Sequence, residues 1–399
     1  MKSIFFTRNR SSLIQGLGGG LIVLSAYNRT QRRSDMAAAF SQEPNFWYLT
    51  GIDEPDWLVI IDGTERKSWL VMPETDEVHQ VFEGGLSADE AAEQSGISTI
   101  IAAKDFDPLL RQLRRKHAAV YTVGPPPEAR YFNFVLNPSL KKNQQKLERI
   151  FDDVIDCRKD LAKMRAIKQP EEIKAIQRAI NVTTAAFESI RHDIESYRYE
   201  YEIEADFTHA FRRSGMTGHA YEPIVAAGKN ACTLHYIANS GSIKKNALIL
   251  MDIGAEAGGY AADITRTIQK GTASKRQLAV HRAVEEAQRR IIALLEPELN
   301  VEEYQRQVDE VMNEALKQLD LYNGEESIRR YMPHAVSHGL GIDVHDSLGG
   351  TRYLKSGMVL TVEPGIYIPE EGIGVRIEDG ILITESGHRN LSQRLSTSP

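Results

Sequence analysis

The chain has 399 residues, 42% apolar and 26% charged, a composition ordinary for a folded protein and a length that favours two domains. A balance of 48 basic and 55 acidic side chains leaves a net charge of −7, which argues against nucleic acid as the main partner. Its two cysteines, Cys157 and Cys232, exclude a disulfide framework or a cysteine-ligated zinc site and favour a reducing, cytoplasmic setting; no apolar stretch has the length a bilayer requires, so no membrane partner is expected.

Lys2, Arg8 and Arg10 precede Leu13–Ala26, outwardly like a secretory leader. Gln15 and the glycines 16, 18, 19 and 20 interrupt the apolar region and no small-residue cleavage site follows, so it reads as a short amphipathic helix and then a buried strand, Leu21–Leu24. The glycines precede the strand, so they do not form a dinucleotide-binding turn. Further strands are predicted at Gly20–Ser25, Trp57–Asp62, Ser68–Met72 and Ala119–Val123, and a helix over Leu109–Lys116. Its Arg111, Arg114, Arg115 and Lys116 read as a solvated helix end. Gly124-Pro125-Pro126-Pro127 breaks the chain, and Gln144–Phe151 is polar and helical. A new helical pattern follows Asp156–Asp160, so the expected domains are 1–157, a smaller α/β unit, and 158–399.

The second unit opens on Pro170-Glu171-Glu172, a proline and acids suited to the positive end of a helix, followed by Ile173, Ile176, Ala179, Ile180, Thr183 and Phe187 at helical spacing. Helices are predicted at Glu200–Arg212, Ser274–Leu295 and Val301–Leu319, and strands at Ala247–Ile253, Met358–Val362, Val375–Ile377 and Gly380–Thr384. The two batches resemble each other, which fits a duplicated half built on a curved antiparallel sheet.

Five residues in this unit stand out: Asp252, Asp263, His338, Glu363 and Glu378. Asp252 ends an apolar run, where an unpaired charge is expensive to bury, and the following loop lets Asp263 face it across two strands. A lone aspartate there would read as a strand-ending cap. His334 and His338 are four apart, but flanking Pro333 and Gly339 favour a loop or bent strand over a helix; His345 follows closely. Glu363 comes directly after an apolar strand and before Pro364-Gly365. Arg376 and Glu378 are two apart, so they share a sheet face, either as a structural ion pair or with the arginine holding neighbouring carboxylates ionised. His235, alone, reads as an ordinary core histidine. Gathered in one pocket, four carboxylates would repel and protonate unless cations held them, and with one imidazole they suit two divalent ions of the Mn, Co or Zn type. Such a pair lowers the pKa of a water to near 7.

These motifs resemble the proline-specific metallopeptidases of the pita-bread fold, most closely the Xaa-Pro aminopeptidases (aminopeptidase P), over nearly the whole chain. The motifs are Asp263-Ile264-Thr265-Arg266-Thr267, Val362-Glu363-Pro364-Gly365 and Arg376-Ile377-Glu378-Asp379, with Asn45–Asp56 and Tyr221–Tyr236 marking the subgroup. The resemblance implies an α/β (α+β) protein whose C-terminal pita-bread domain has a curved antiparallel sheet and pseudo-symmetric halves behind a smaller α/β domain. It implies that Asp263 and Glu378 bridge two metals, Asp252 completes one site, and His338 with Glu363 completes the other, with Mn²⁺ the expected ion. It places His235, His334, His345 and Arg376 at non-ligand active-site positions, which reverses the reading of His235. Ala335, Val336 and Gly339 depart from the residues usual for the subgroup.

The expected reaction is hydrolysis of the bond between an N-terminal residue and a following proline. Glu363 is the expected general base and proton carrier; His345 and His235 stabilise the oxyanion or hold the substrate backbone; Arg376 orients carboxylates; His334 and Tyr367 line a pocket for the pyrrolidine ring. The expected partners are peptides with proline second, and further copies of the chain as a dimer or tetramer. An Xaa-Pro dipeptidase is the nearest alternative, followed by metal-free C–N hydrolysis as in the creatinases and a non-catalytic binding module on the same scaffold.

Overall fold

The computed structural model describes residues 1–126, 134–324 and 326–399, and for His79 the backbone alone; Pro127 of the predicted chain break lies outside them. The chain divides into two compact units, Met1–Met164 and Arg165–Pro399, with the boundary inside the helix Arg158–Ala166.

The first unit opens on a helix, Ser3–Leu17, longer than the short one expected, which Gly18 ends at φ 70°, a conformation glycine takes without a Cβ penalty. The predicted strands all form and join a six-stranded mixed sheet. Leu21–Ser25 lies within it, antiparallel to Leu58–Asp62 and parallel to Ala119–Thr122. Leu21, Val23, Ile60, Val71 and Val120 pack there against Phe106, Leu110 and Leu147 from helices. The basic run ends the helix Phe106–Arg114, where Arg114 pairs with Asp152 and Lys116 with Glu65 near solvent, as predicted for a solvated end.

In the second unit the helix Pro170–His192 has proline in its first turn and a reciprocal cap between Gln169 and Glu172. It buries Ile176, Ala179, Ile180, Thr183 and Phe187, the predicted stripe. The strands are antiparallel and come in separate pieces. One contains Ile224–Ala227, Leu248–Asp252 and Thr265–Gln269; another contains Val359–Val362, Asp379–Thr384 and Gly387–Asn390; Gly365–Ile368 pairs with Ile373–Arg376. The helices Lys275–Leu294 and Val301–Gln318 contribute Val280, Val284, Ile291, Val308 and Met312 to a core shared with Leu360, Val362, Ile366 and Ile381.

The segment Val336–Leu340 runs beside Val359–Val362 as an irregular edge: Glu363 N–H donates to Val336 O at 2.9 Å, Thr361 N–H to His338 O at 2.8 Å, and Leu340 N–H to Val359 O at 3.0 Å. This irregular segment fits the loop or bent strand expected around His338. A Cβ on Gly339 would lie 2.4 Å from Asp346 O, so only glycine lets the loop close on itself there. Among the described residues no helix is long and apolar enough to cross a membrane.

Candidate metal centre and active site

Asp252, Asp263, His338, Glu363 and Glu378 all line one cavity of about 560 Å³, together with His235, His334, His345 and Arg376. Ile224, Leu234, Ile237 and Val344 supply its apolar wall. Nine of the ten residues singled out in sequence therefore converge. The tenth, Tyr367, is not a cavity wall. Its strand, Gly365–Ile368, buries it behind the site, where its hydroxyl lies 2.8 Å from His334 Nε2 and accepts from Arg376 at 2.7 Å.

Three expected relationships are corrected. Asp252 does not oppose Asp263: its cross-strand partner is Thr265, and Asp263 lies two residues further along, on the same face. The intervening residues close as a small hairpin, Glu256–Ala257 with Tyr260–Ala261, in the same register, so the turn at Gly258-Gly259 sets the pairing. Glu378 is not inside a strand. It sits in the break between Ile373–Arg376 and Asp379–Thr384, where the chain changes pairing partner. Arg376 pairs with Asp252 at 2.5 Å rather than with Glu378.

The donor atoms of Asp263, His338 and Glu378 lie within 4.8 Å of one another. His338 Nε2 is 3.4 Å from Asp263 and 3.2 Å from Glu363. Its Nδ1 lies 2.9 Å from Gly339 O, so a proton there donates to the carbonyl and leaves the Nε2 lone pair facing the carboxylates. That tautomer is the one a metal-ligating histidine needs. Thr265 Oγ1 donates to Glu378 Oε2 at 2.7 Å, while Glu378 Oε1 is buried without a hydrogen-bond partner among the described residues. A buried carboxylate oxygen left bare beside three other acids is the position a cation would fill.

The electrostatics agree. Burial, then the charges of Asp263, Glu363 and Asp252, hold the Glu378 carboxyl well above its ordinary range. Burial lifts Asp263 to about 6. Burial opposes charge on His338, but hydrogen bonds to Asp263 and Glu363 push it up to about 11. The cluster thus retains protons where metal charge would otherwise stand. His345, exposed on the cavity, packs edge-on to His338 with ring centroids 4.4 Å apart; burial of its ring and then His338 hold it below its usual value.

Two residues of the site went unnoticed in sequence. The Tyr221 hydroxyl is 2.6 Å from Asp252 Oδ1 and 2.7 Å from Asp263 Oδ1. Thr265 was detectable, since it lies two residues after Asp263 and so shares its sheet face. Tyr221 lies in a stretch without a ligand-like pattern, and only the tertiary structure brings it to the aspartates.

Residues 174–385 match the metallopeptidase family M24, and residues 6–121 match the aminopeptidase P N-terminal domain. An Xaa-Pro aminopeptidase of Haemophilus influenzae is 33% identical over 414 aligned residues, which cover 98% of this chain and 94% of that one. The low-pH form of Escherichia coli aminopeptidase P superposes with a TM-score of 0.86 at 31% identity, covering 99% of this chain and 96% of that one. The same enzyme with the inhibitor Pro-Leu gives 0.85 at 30% identity, with the same coverage. The likeness over both units bears out the expected pita-bread domain behind a smaller N-terminal one.

Proposed function

The chain belongs to metallopeptidase family M24 and is an Xaa-Pro aminopeptidase, and we propose that two divalent ions, Mn²⁺ foremost, work at the cluster of Asp252, Asp263, His338, Glu363 and Glu378. The observation that carries this is the bare, buried Glu378 Oε1 amid four carboxylates and one correctly oriented imidazole. Asp263 and Glu378 would bridge the ions, Asp252 would complete one site, and His338 with Glu363 the other. Ions held there supply Lewis acidity, which brings the pKa of a water close to neutrality and polarises a carbonyl.

The remaining chemistry falls to the chain. Glu363 keeps an ionised carboxylate: burial raises its pKa, but His338 and then His334 and Arg376 bring it below the ordinary value. It is thus a base on the cavity, able to take a proton from the attacking water and deliver it to the leaving nitrogen. That delivery is essential because the leaving group is proline's own ring nitrogen, which departs as an amine and not as an amide anion. His235 and His345 are exposed imidazoles on the same cavity and donate to the developing oxyanion or the substrate backbone, each such donor typically worth about 3–4 kcal/mol. Arg376 fixes Asp252, and His334, beside the apolar wall of Leu234, Ile237 and Val344, receives the pyrrolidine ring.

The substrates are then peptides with proline second. The aminopeptidase reading over the dipeptidase is supported by the match of residues 6–121 to the aminopeptidase P N-terminal domain. Cytoplasmic residence and a homodimer or tetramer complete the proposal; size-exclusion chromatography with light scattering measures the latter. The decisive assay compares Ala-Pro with Ala-Pro-Ala in the presence of Mn²⁺. Release of alanine from the tripeptide is expected; cleavage of the dipeptide alone would replace the aminopeptidase by a dipeptidase.

A further inference from the structure

Glu378 occupies a gap in the backbone ladder, and Arg266 fills it. Because the chain changes partners between Arg376 and Asp379, Glu378 lies outside both strands. Its N–H donates to Thr265 O at 3.0 Å. Its carbonyl accepts from Arg266 Nη1 at 2.6 Å, and the same nitrogen donates to Thr265 O at 2.9 Å. The side chains of these two consecutive residues therefore take opposite ends of Glu378: Thr265 holds the carboxylate, Arg266 the backbone.

Arg266 is itself fixed on every side. It is 1% exposed, and its Nη2 donates to Asp379 Oδ1 at 2.6 Å. Asp379 also accepts from Gln288 at 3.0 Å, from Asn390 at 2.9 Å and from Ser392. The carbonyls of Leu395 and Ser396 accept from Arg266 Nη2 at 3.1 Å and from Nε at 3.0 Å. A planar guanidinium with its donors in a rigid fork can serve five acceptors at once; an ammonium cannot reproduce that geometry. The pair thus holds the backbone of the residue whose Oε1 is bare among the described residues.

We propose that Arg266, backed by Asp379 and sealed by the Leu395–Ser396 backbone, is a positioning residue that sets the Glu378 carboxylate for metal binding. The inference rests on the metal-centre reading above. Partners that orient ligands in this way typically change metal affinity 10–100-fold when altered.

The test uses the full-length enzyme, with Mn²⁺ affinity measured by competition against a chelating dye and kcat and KM measured on Ala-Pro-Ala. Arg266→Lys is expected to bind Mn²⁺ at least about tenfold more weakly, with kcat reduced at fixed Mn²⁺ and partly recovered as Mn²⁺ is raised, while KM stays near wild type. A purely structural arginine would lower the thermal midpoint of the metal-free protein and leave the affinity of the folded protein unchanged; that result overturns the proposal. Asp379→Asn, which keeps size and shape, should weaken Mn²⁺ in the same direction and decides the matter if Arg266→Lys does not fold. Failure of both to fold would mark the pair as a folding determinant and also overturn it. Wild-type protein that binds no divalent ion would sink the metal reading itself, whereas normal wild-type binding with unchanged variants sinks only the role of Arg266.

Discussion

Arg376 Nη2 donates to Asp252 Oδ2 at 2.5 Å, and the arginine is 3% exposed. The same guanidinium donates to Tyr367 at 2.7 Å and to Thr265 at 3.2 Å, so it ties a proposed ligand to two neighbouring side chains. Removing one member of a buried pair costs roughly 3–5 kcal/mol because the other charge is left unpaired. Arg376→Lys keeps the charge but not the fork, and kcat/KM is expected to fall at least about tenfold with most of the bound metal retained. Arg376→Met should lose metal as well. Elemental analysis beside steady-state kinetics distinguishes the two; normal kinetics in both variants would remove Arg376 from the site.

Asp263 lies within 4.8 Å of donors from both His338 and Glu378. A chelator should abolish activity and Mn²⁺ should restore it. Bound ion should also raise the thermal midpoint, since saturation at about 100 times Kd adds about 2.7 kcal/mol. Asp263→Ala should show neither the activity nor the Mn²⁺-dependent rise, because a proposed ligand of both ions is gone. Retained turnover in this variant would refute the site.

His345 and His338 meet edge to face but differ in surroundings. His338 faces two carboxylates, whereas His345 stands exposed on the cavity. His345→Ala should lower kcat about 100-fold or more, the loss expected of an oxyanion donor, with metal content near normal. His338→Ala should lose metal first. Equal metal loss in both would assign His345 to the ligands.

Much of this site was legible before any coordinates. The carboxylates end apolar runs or flank turns, places where sequence exposes an expensive charge, and the Gly and Pro residues around His338 and Glu363 correctly signalled irregular chain. What stayed hidden depends on register and on tertiary partners. The turn at Gly258-Gly259 sets Thr265 rather than Asp263 opposite Asp252, an offset of two that alternating patterns cannot encode because it preserves the face. Arg376 and Glu378 are correctly near each other, yet the arginine turns to Asp252, since the chain leaves the ladder between them. Tyr367 is expected as a pocket wall, and only its burial and its two hydroxyl partners show it behind the site.

Tyr221 has one hydroxyl proton and two carboxylate neighbours, Asp252 at 2.6 Å and Asp263 at 2.7 Å. It can donate to one of them at a time. Tyr221→Phe keeps the ring and removes one charge-assisted hydrogen bond, worth roughly 1.5–3 kcal/mol. Metal affinity should fall on the order of tenfold or more, with the far-UV spectrum unchanged. An affinity equal to wild type would show that the aspartates hold their positions without the phenol.

Asp346 anchors the loop that carries the histidines. Its side chain is 1% exposed and pairs with Arg165 at 2.8 Å and Lys168 at 3.0 Å, while its N–H donates to Gly339 O at 2.8 Å, next to His338. Burial alone would raise its pKa, but Arg165 and then Lys168 hold the carboxyl below the ordinary value. Its folded-state pKa is therefore depressed relative to the unfolded chain, where an aspartate titrates near about 3.9. The sign follows: the contribution to stability is complete above that unfolded value and disappears as pH falls through the lower, folded one. Asp346→Asn leaves buried Lys168 without its anion and takes one carboxylate from Arg165, which keeps Asp343, and is expected to destabilise the protein by roughly 3–5 kcal/mol at pH 7. The gap between variant and wild type should narrow steadily below about pH 4 as the native carboxylate protonates. Denaturant melts across pH 3 to 7 measure both curves. A gap that persists unchanged at the acidic end would mean that the asparagine harms packing, not charge, and that Asp346 does not hold the histidine loop by its ion pairs.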